Sequence, residues 1–229
     1  MNKKPFLGRV FLFETFYNYH KLTFQFFIFI FWHQVLNSSS YELNSKKEDD
    51  PVIFLKPDTS VIQKKQPFFI PEFSSDIHYE VEIILKFNRV GKHIEPKFSK
   101  KYFDKISLGI DFTARDLQRK FKENGLPWDI AKGFDNSAMI GDWLSVDLFD
   151  DIDNINFRLE KNGEIVQKSN SSNMIWKIDQ LISKVSTFFT IKIGDIMFTG
   201  TPEGVGKVVE NDLLEGYIDD KKVFSVRVK

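Results

Sequence analysis

The chain has 229 residues, which fits one sizeable domain with a full hydrophobic core. Lysine plus arginine and aspartate plus glutamate both number 32, and this balance gives no indication of a nucleic-acid partner or an acidic disordered tail. The absence of cysteine excludes disulfides, zinc fingers and thiol nucleophiles. A bound metal ion would therefore have oxygen or imidazole ligands, which favours Mg²⁺ or Mn²⁺.

The most apolar window is Leu22 to Leu36, LTFQFFIFIFWHQVL. It is shorter than the ~20 residues that a bilayer requires, and Gln25 and His33 interrupt it, so we expect no stable membrane span. Its aromatic and β-branched residues favour a buried strand over Phe27–Trp32, with an interfacial or membrane segment or a disordered segment as the alternatives. We expect a cytoplasmic protein.

The remaining predicted elements are short strands with a few helices. Strands are predicted over Pro51–Pro57, Phe68–Pro71, His78–Asn88, Ile106–Ile110, Ile196–Phe198 and in short pieces over Asp212–Lys229. Helices are predicted over Phe98–Lys105, over Thr113–Asn124 with Thr113 as N-cap and Gly125 as stop, and over Asn173–Phe189. Asn37–Asp50 is predicted to be a surface loop, and Asn162-Gly163 to be a hairpin turn between Asn156–Leu159 and Glu164–Gln167.

These elements predict a β-rich α+β domain. We assign it to residues 27–229, after an N-terminal extension of unknown structure over residues 1–26 that shows no clean period.

Acidic residues are the first candidates for a functional site. Glu80 and Glu82 lie two apart on a predicted strand, which places both side chains on one face. Asp111 follows another predicted strand and precedes a helix. Each feature has an ordinary explanation, a solvated strand face for the pair and a helix cap for the aspartate. If the three carboxylates converge, at least one pKa must rise, unless a divalent cation offsets their repulsion.

The segment Gly194 to Gly206, GDIMFTGTPEGVG, is the most informative part of the chain. An apolar strand, Ile196–Phe198, leads into a turn rich in glycine and threonine. Backbone N–H groups and hydroxyls in such a turn can hold a carboxylate or phosphate, although a tight hairpin would have the same spacing.

Taken together, these motifs resemble the fumarylacetoacetate hydrolase family, and most closely its small single-domain acylpyruvate hydrolase and oxaloacetate decarboxylase members. The resemblance runs from about Glu42 to the C-terminus in six ordered motifs, PVIFLKP, HYEVE, IDFTARDLQ, LPWDIAKGFDN, SSNM and GDIMFTGTPEGVG. It implies a mixed β-roll, usually a homodimer, with one Mg²⁺ or Mn²⁺ per subunit. It also implies metal-dependent cleavage of a C–C bond in a small 2-oxo acid, by acylpyruvate hydrolysis or by oxaloacetate decarboxylation or tautomerisation.

The resemblance also implies roles for individual residues. The implied metal ligands are Glu80, Glu82 and Asp111, the implied catalytic residues are Glu42 and Lys132, and the implied substrate contacts are Arg115, Gln118, Lys132, Gly200 and Thr201. Without the family motif, Lys132 would be taken for a surface lysine, and Arg115 and Gln118 for solvated residues one helical turn apart.

One family motif is incomplete. Members carry a G-x-N-Y-x-x-H-x-x-E segment whose histidine and glutamate activate water, and counting back from Glu42 places the histidine position on Ser39. Serine has no basic nitrogen. The protein is therefore a degenerate relative, or His33 or His20 reaches the site by another path, or residues 1–40 do not represent the functional start. We favour the first or last explanation, because the family match begins abruptly near Tyr41.

Three functions remain open at this point. They are a metal-dependent hydrolase or lyase of 2-oxo acids, a catalytically impaired metal- and carboxylate-binding relative, and a membrane-associated module that uses the phenylalanine-rich start. A serine hydrolase is disfavoured because no G-x-S-x-G elbow is present. A nucleotide-binding role is disfavoured because GTPEGVG lacks the lysine of a P-loop.

Overall fold

The computed structural model describes the backbone of residues 27–31 and all atoms of residues 50–63 and 66–229. The predictions for residues 1–26, His33, Ser39 and Glu42 fall outside these ranges, as does the predicted surface loop apart from Asp50.

Strands dominate the described part of the chain. They are β1 (Phe27–Phe31), β2 (Val52–Lys56), β3 (Ile77–Tyr79), β4 (Val81–Phe87), β5 (Phe103–Asp111), β6 (Thr113–Ala114), β7 (Ala138–Ile140), β8 (Leu144–Ser145), β9 (Asn156–Lys161), β10 (Glu164–Asn170), β11 (Ile196–Phe198), β12 (Gly206–Lys207), β13 (Leu213–Ile218) and β14 (Lys221–Arg227). The α-helices are α1 (Arg115–Glu123), α2 (Asp129–Lys132) and α3 (Ile178–Phe188). The predicted β-rich α+β fold class is confirmed.

Within the described ranges, the largest sheet has seven strands in the order β2-β1-β11-β4-β5-β7, with β8 also paired to β5. It is mixed, because β1 is parallel to β11 and the other neighbours are antiparallel. The interior strand β4 is buried along almost its whole length, since both of its faces are covered. The seven-stranded sheet therefore holds the residues of β4 in fixed positions.

Two smaller antiparallel sheets complete the β structure of the described residues, in the orders β10-β9-β13-β14 and β12-β3-β6. The predicted hairpin is confirmed between β9 and β10. Its two turn residues have left-handed backbones, with φ of 56° at Asn162 and 86° at Gly163, as a two-residue hairpin requires.

Aromatic packing fixes the end of β5. Phe112, directly after Asp111, is fully buried and stacks on Phe68 with ring centroids 3.8 Å apart. Phe68 forms an isolated bridge to Val228 and not the short strand predicted over Phe68–Pro71. The backbone that carries Asp111 is thereby anchored in the hydrophobic core.

The strand predicted over His78–Asn88 is divided in two at Glu80. The first part, β3, belongs to the three-stranded sheet, and the second part, β4, belongs to the seven-stranded sheet. Glu80 lies where the chain passes from one sheet to the other, and its carbonyl oxygen accepts the Asp111 N–H at 2.8 Å.

Three predicted helices have different bounds in the structure. The helix over Phe98–Lys105 was wrong in its second half, because a 3-10 helix ends at Lys101 and Phe103 already pairs with Phe87 in the sheet. The helix predicted from Asn173 begins only at Ile178.

The helix predicted from Thr113 begins at Arg115. Thr113 pairs with His78 between β6 and β3 and does not cap the helix, so this N-cap prediction was wrong. Gly125 follows the helix with φ of 62°, as predicted for its stop. No helix in the described ranges has both the length and the apolar character needed to cross a bilayer.

Candidate active site

Three carboxylates, two on neighbouring strands and one just before the first of them, meet inside the protein. Glu80 lies between β3 and β4, Glu82 lies on β4, and Asp111 ends β5. Each contributes one oxygen to a group in which all such atoms lie within 4.8 Å of one another, and all three residues are buried. The convergence that the sequence left open is therefore present, and we call these residues the acidic triad.

Three cationic side chains contact the acidic triad. Lys132 Nζ lies 2.7 Å from Glu80 Oε2 and 2.6 Å from Asp111 Oδ2, and Lys56 Nζ lies 2.6 Å from Asp111 Oδ1. Both lysine side chains are fully buried. The Arg115 guanidinium donates to Glu80 Oε1. Lys132 is thus a buried contact of the proposed metal ligands and not the surface loop lysine of the ordinary explanation.

The charged groups shift one another's pKa values. Burial acts to raise the pKa of Glu80, but Lys132 and Arg115 outweigh it and hold that pKa at about 2. Burial acts to lower the pKa of Lys132, but Asp111 and Glu80 raise it above its ordinary value. Glu80 and Lys132 therefore stay ionised at neutral pH.

Lys56 and Glu82 are shifted toward their neutral forms. Burial lowers the pKa of Lys56 to about 8, against the opposing effect of Asp111. Burial, followed by the negative charges of Asp111 and Glu80, raises the pKa of Glu82 well above its usual range. The buried Lys56 ammonium group is nevertheless hydrogen-bonded, since it donates to the Ser137 carbonyl oxygen at 2.8 Å and to Ser137 Oγ at 2.9 Å.

The donor set suits a divalent cation. Three buried carboxylate oxygens are the ligands that Mg²⁺ and Mn²⁺ prefer, and the remaining positions can be filled by water or substrate. Burial first, and then the negative charges of Asp111 and Glu80, raise the pKa of Glu82, and a divalent cation beside it would favour its ionised form. Glu80, Glu82 and Asp111 are accordingly the residues that would hold the ion.

The glycine-threonine turn lies against the acidic triad. Thr199 ties the turn to the sheet, because its N–H and its hydroxyl both donate to the Ile83 carbonyl oxygen. The next residue, Gly200, has φ of 95°, which favours glycine, and its N–H donates to Glu82 Oε2 at 2.5 Å. Thr201 is buried and accepts a hydrogen bond from Gln167 Nε2 at 2.9 Å. The structure thus places Gly200 in contact with the triad and Thr201 next to it.

Arg115 and Gln118 form a pair on the first turn of α1. Arg115 Nη1 donates to Gln118 Oε1 at 2.6 Å, as their three-residue spacing predicts. Gln118 is 3% exposed, and its Nε2 atom has no hydrogen-bond partner among the described residues. A buried amide donor without a partner is rare in native proteins and is suited to a ligand.

Sequence reasoning assigned no role to two buried residues of this site. Lys56 lies at the end of an apolar strand between two prolines, which was the only signal that it is buried. Gln167 follows the apolar Ile165-Val166 pair on β10, and nothing in the sequence indicates what it contacts. Glu42, the remaining predicted site residue, lies outside the described residues.

Comparisons with known proteins identify the family of the chain. Residues 15–228 match the fumarylacetoacetate (FAA) hydrolase C-terminal family. The chain is 37% identical to the mitochondrial oxaloacetate tautomerase FAHD1 of Rattus norvegicus over 188 residues, which cover 82% of this chain and 84% of the relative. It is 36% identical to the oxaloacetate tautomerase YcgM of Escherichia coli over 174 residues, covering 76% and 80%.

Solved structures of the same family have a similar fold. The fumarylpyruvate hydrolase from Pseudomonas aeruginosa, solved in complex with Mn²⁺ and pyruvate, matches with a TM-score of 0.79 and 30% identity, covering 90% of this chain and 88% of that chain. A fold of this type, a family match over nearly the whole sequence and relatives above 30% identity lead to one conclusion. The chain belongs to the fumarylacetoacetate hydrolase family.

Proposed function

We propose that the protein is a divalent-metal-dependent enzyme that acts on a small 2-oxo acid, and that tautomerisation or decarboxylation of oxaloacetate is its main reaction. The observation that carries the proposal is the buried acidic triad. Lys56, Lys132 and Arg115 are bonded to it, and the Gly200 turn lies against it. Relatives named as oxaloacetate tautomerases and as an oxaloacetate decarboxylase support the choice of substrate.

A bound Mg²⁺ or Mn²⁺ would polarise the carboxylate and keto oxygens at one end of the substrate. The residues of the chain would perform the remaining tasks. Lys132 keeps its charge because its pKa is raised, so its ammonium group can stabilise negative charge that develops on an enolate oxygen. Gln118 supplies a second donor through its buried Nε2 atom. In a buried site, these preorganised donors act more strongly than they would in water.

The second carboxylate of the substrate would bind at the turn. Thr201 has the backbone N–H and hydroxyl donors that suit a carboxylate, and Gly200, whose N–H is bonded to Glu82, lets the backbone approach the substrate closely. Arg115 bonds to both Glu80 and Gln118, and it would keep these two residues in place beside the substrate.

We favour decarboxylation or tautomerisation over hydrolysis because of one residue outside the described ranges. Hydrolysis requires a general base to activate water, and Ser39 stands at the position of the family histidine. Loss of CO₂ from oxaloacetate needs no attacking water, and neither does its keto–enol interconversion. The second candidate, a catalytically impaired relative that binds metal and carboxylate, rests on the same serine.

Assays of oxaloacetate with the full chain test the proposal. Enol absorbance and CO₂ release should respond to Mn²⁺ or Mg²⁺ and fall to background with a chelator. Asp111→Asn should lose at least about 100-fold in rate, while Asp104→Asn, an exposed position on the same strand, should match the wild type. Binding of Mn²⁺ without turnover would favour the impaired relative, and no binding of Mn²⁺ would refute the metal centre.

A histidine graft tests the missing base. Ser39→His should raise hydrolysis of acetylpyruvate about 10-fold or more, because general-base catalysis typically contributes about 10²–10⁴-fold. Ser38→His, one residue earlier, is the matched control and should leave the rate unchanged. Should the Ser39→His protein fold and hydrolyse acetylpyruvate no faster, the explanation based on the missing base is wrong.

A further inference from the structure

Gln167 joins two parts of the site that are distant in the sequence. It lies on β10, outside the sheet that carries the acidic triad, and is 2% exposed. Its Oε1 atom accepts the Val81 N–H at 2.9 Å. Its Nε2 atom donates to Thr201 Oγ1 at 2.9 Å and to the Pro202 carbonyl oxygen at 3.0 Å. Both ends of one buried amide are therefore in use.

The acceptor end of Gln167 completes the hydrogen bonding of β4. Val81 stands between the metal ligands Glu80 and Glu82, and β11 pairs with β4 only from Ile84 onward. Beyond that point the chain turns away at Gly200, so no strand of the described ranges continues beside Val81, and its N–H bonds to Gln167 instead. A buried N–H without an acceptor is costly, and Gln167 removes that cost.

A bulge in β10 directs Gln167 toward the turn. The register between β9 and β10 shifts between Ile165 and Gln167, which leaves Val166 as the extra residue. The Val166 carbonyl oxygen lies against Gly204, where a Cβ atom would stand only 2.3 Å from it. The turn is thus docked on the bulge by a second contact that does not involve the amide of Gln167.

We propose that Gln167 is a positioning residue that sets the Thr201 hydroxyl as a hydrogen-bond donor to the far carboxylate of the substrate. A hydroxyl that already accepts from an amide N–H directs its own hydrogen to another acceptor, and a carboxylate is such an acceptor. Because the same amide holds Val81, it also fixes the distance between this donor and the metal ligands. The inference rests on the proposed function, since the carboxylate is that of the 2-oxo acid.

Two substitutions separate the two ends of the amide. Gln167→Glu keeps an acceptor for the Val81 N–H but removes the donor to Thr201, and measurement at pH 8.5 favours the ionised carboxyl. Gln167→Met removes both. Gln180→Glu is the matched control, because Gln180 lies on α3 and its Oε1 accepts the Lys177 N–H, a bond that glutamate can also make.

Pyruvate and 2-oxoglutarate are suitable probes, because both are 2-oxo acids and only the second has a far carboxylate. With Gln167→Glu, we expect Mn²⁺ affinity and pyruvate affinity within about twofold of wild type and 2-oxoglutarate affinity about 10- to 100-fold weaker, as for loss of a hydrogen bond to a charged group. Thr201→Val should have the same effect, and the double variant should be no worse than either single one.

Hydrogen exchange gives a readout without metal or substrate. The Val81 amide should exchange slowly in wild type, in Gln167→Glu and in Gln180→Glu, and at least about tenfold faster in Gln167→Met. Equal loss of pyruvate and 2-oxoglutarate affinity in Gln167→Glu, or additive effects with Thr201→Val, would overturn the positioning role. A wild-type protein that binds neither Mn²⁺ nor 2-oxoglutarate would instead refute the proposed function.

Discussion

Glu82 differs from the other two acidic residues in its surroundings. Glu80 and Asp111 are bonded directly to lysine and arginine side chains, whereas Glu82 accepts a backbone N–H from Gly200. Burial and the neighbouring carboxylates raise its pKa, so in the absence of metal Glu82 retains its proton to a higher pH than an ordinary glutamate.

This protonation makes metal binding dependent on pH. A divalent cation binds the ionised carboxylate, so we expect binding of Mn²⁺ to release a proton and the apparent affinity to rise with pH until the pKa of Glu82 is passed. Calorimetry in two buffers of different ionisation enthalpy measures the released proton. Glu82→Gln should bind Mn²⁺ more weakly and release none. Equal heats in both buffers for the wild type would contradict the prediction.

Lys132 is the buried cation that Glu80 and Asp111 share. Lys132→Met would leave Glu80 and Asp111 buried without their shared cation, and we expect a loss of about 3–5 kcal/mol in the free energy of unfolding. Saturating Mn²⁺ should recover part of that loss, because the ion replaces the missing positive charge. Calorimetric melting with and without Mn²⁺ measures both effects, and the exposed Lys221→Met is the control. An unchanged melting temperature would show that Lys132 is not needed for charge balance.

Two glycines with similar backbone angles differ in whether a side chain would fit beside them, so substitutions there separate backbone strain from the loss of close packing. Gly163, in the hairpin turn, and Gly204, beside the β10 bulge, have similar φ of 86° and 95°. No described heavy atom lies within 4 Å of a Cβ placed at Gly163, whereas a Cβ at Gly204 would clash with the Val166 carbonyl oxygen. Only the second glycine is required for close packing.

Alanine substitutions at these two positions should therefore differ. Gly163→Ala should cost about 1–2 kcal/mol of unfolding free energy, from the backbone alone, and leave oxaloacetate turnover unchanged. Gly204→Ala should carry a similar backbone cost and also lower kcat/KM at least about tenfold, because the turn must shift away from the bulge. Urea titration and steady-state kinetics provide the two measurements. Equal kinetic effects in both variants would show that the packing of the turn is unimportant.

Turns and helix ends could be predicted where the backbone preference of a single residue determines them. The hairpin at Asn162-Gly163 and the helix stop at Gly125 follow from backbone preferences of single residues, and both are observed. The division of the His78–Asn88 strand at Glu80 depends on which sheet each half joins, and that choice is made by residues far away in the chain. The same applies to Thr113, which is drawn into β6 by pairing with β3.

The candidate site was predictable to a similar extent. The family motif identified Glu80, Glu82 and Asp111 as a set, and the structure brings them together. Lys56 and Gln167 could not be assigned from the sequence, because their partners lie far along the chain. Gln167, for instance, is 86 residues from Val81.

At the scale of the whole molecule, the assembly and location of the protein stay predictions. The family resemblance implies a homodimer, so light scattering should give about twice the mass of one chain over a wide range of concentration. A cytoplasmic protein should appear in the soluble fraction of lysed cells. A concentration-independent monomer, or recovery with the membranes, would contradict the respective prediction.

The position of Glu80 at the junction of two sheets has a mechanical consequence. An ion bound by the carboxylates of Glu80, Glu82 and Asp111 would link the chain at the end of the three-stranded sheet to two strands of the seven-stranded sheet. The metal ion would then have a structural role in addition to its chemical one. With the ion bound, the two sheets should unfold together in one cooperative transition. After removal of the ion, the three-stranded sheet should unfold first.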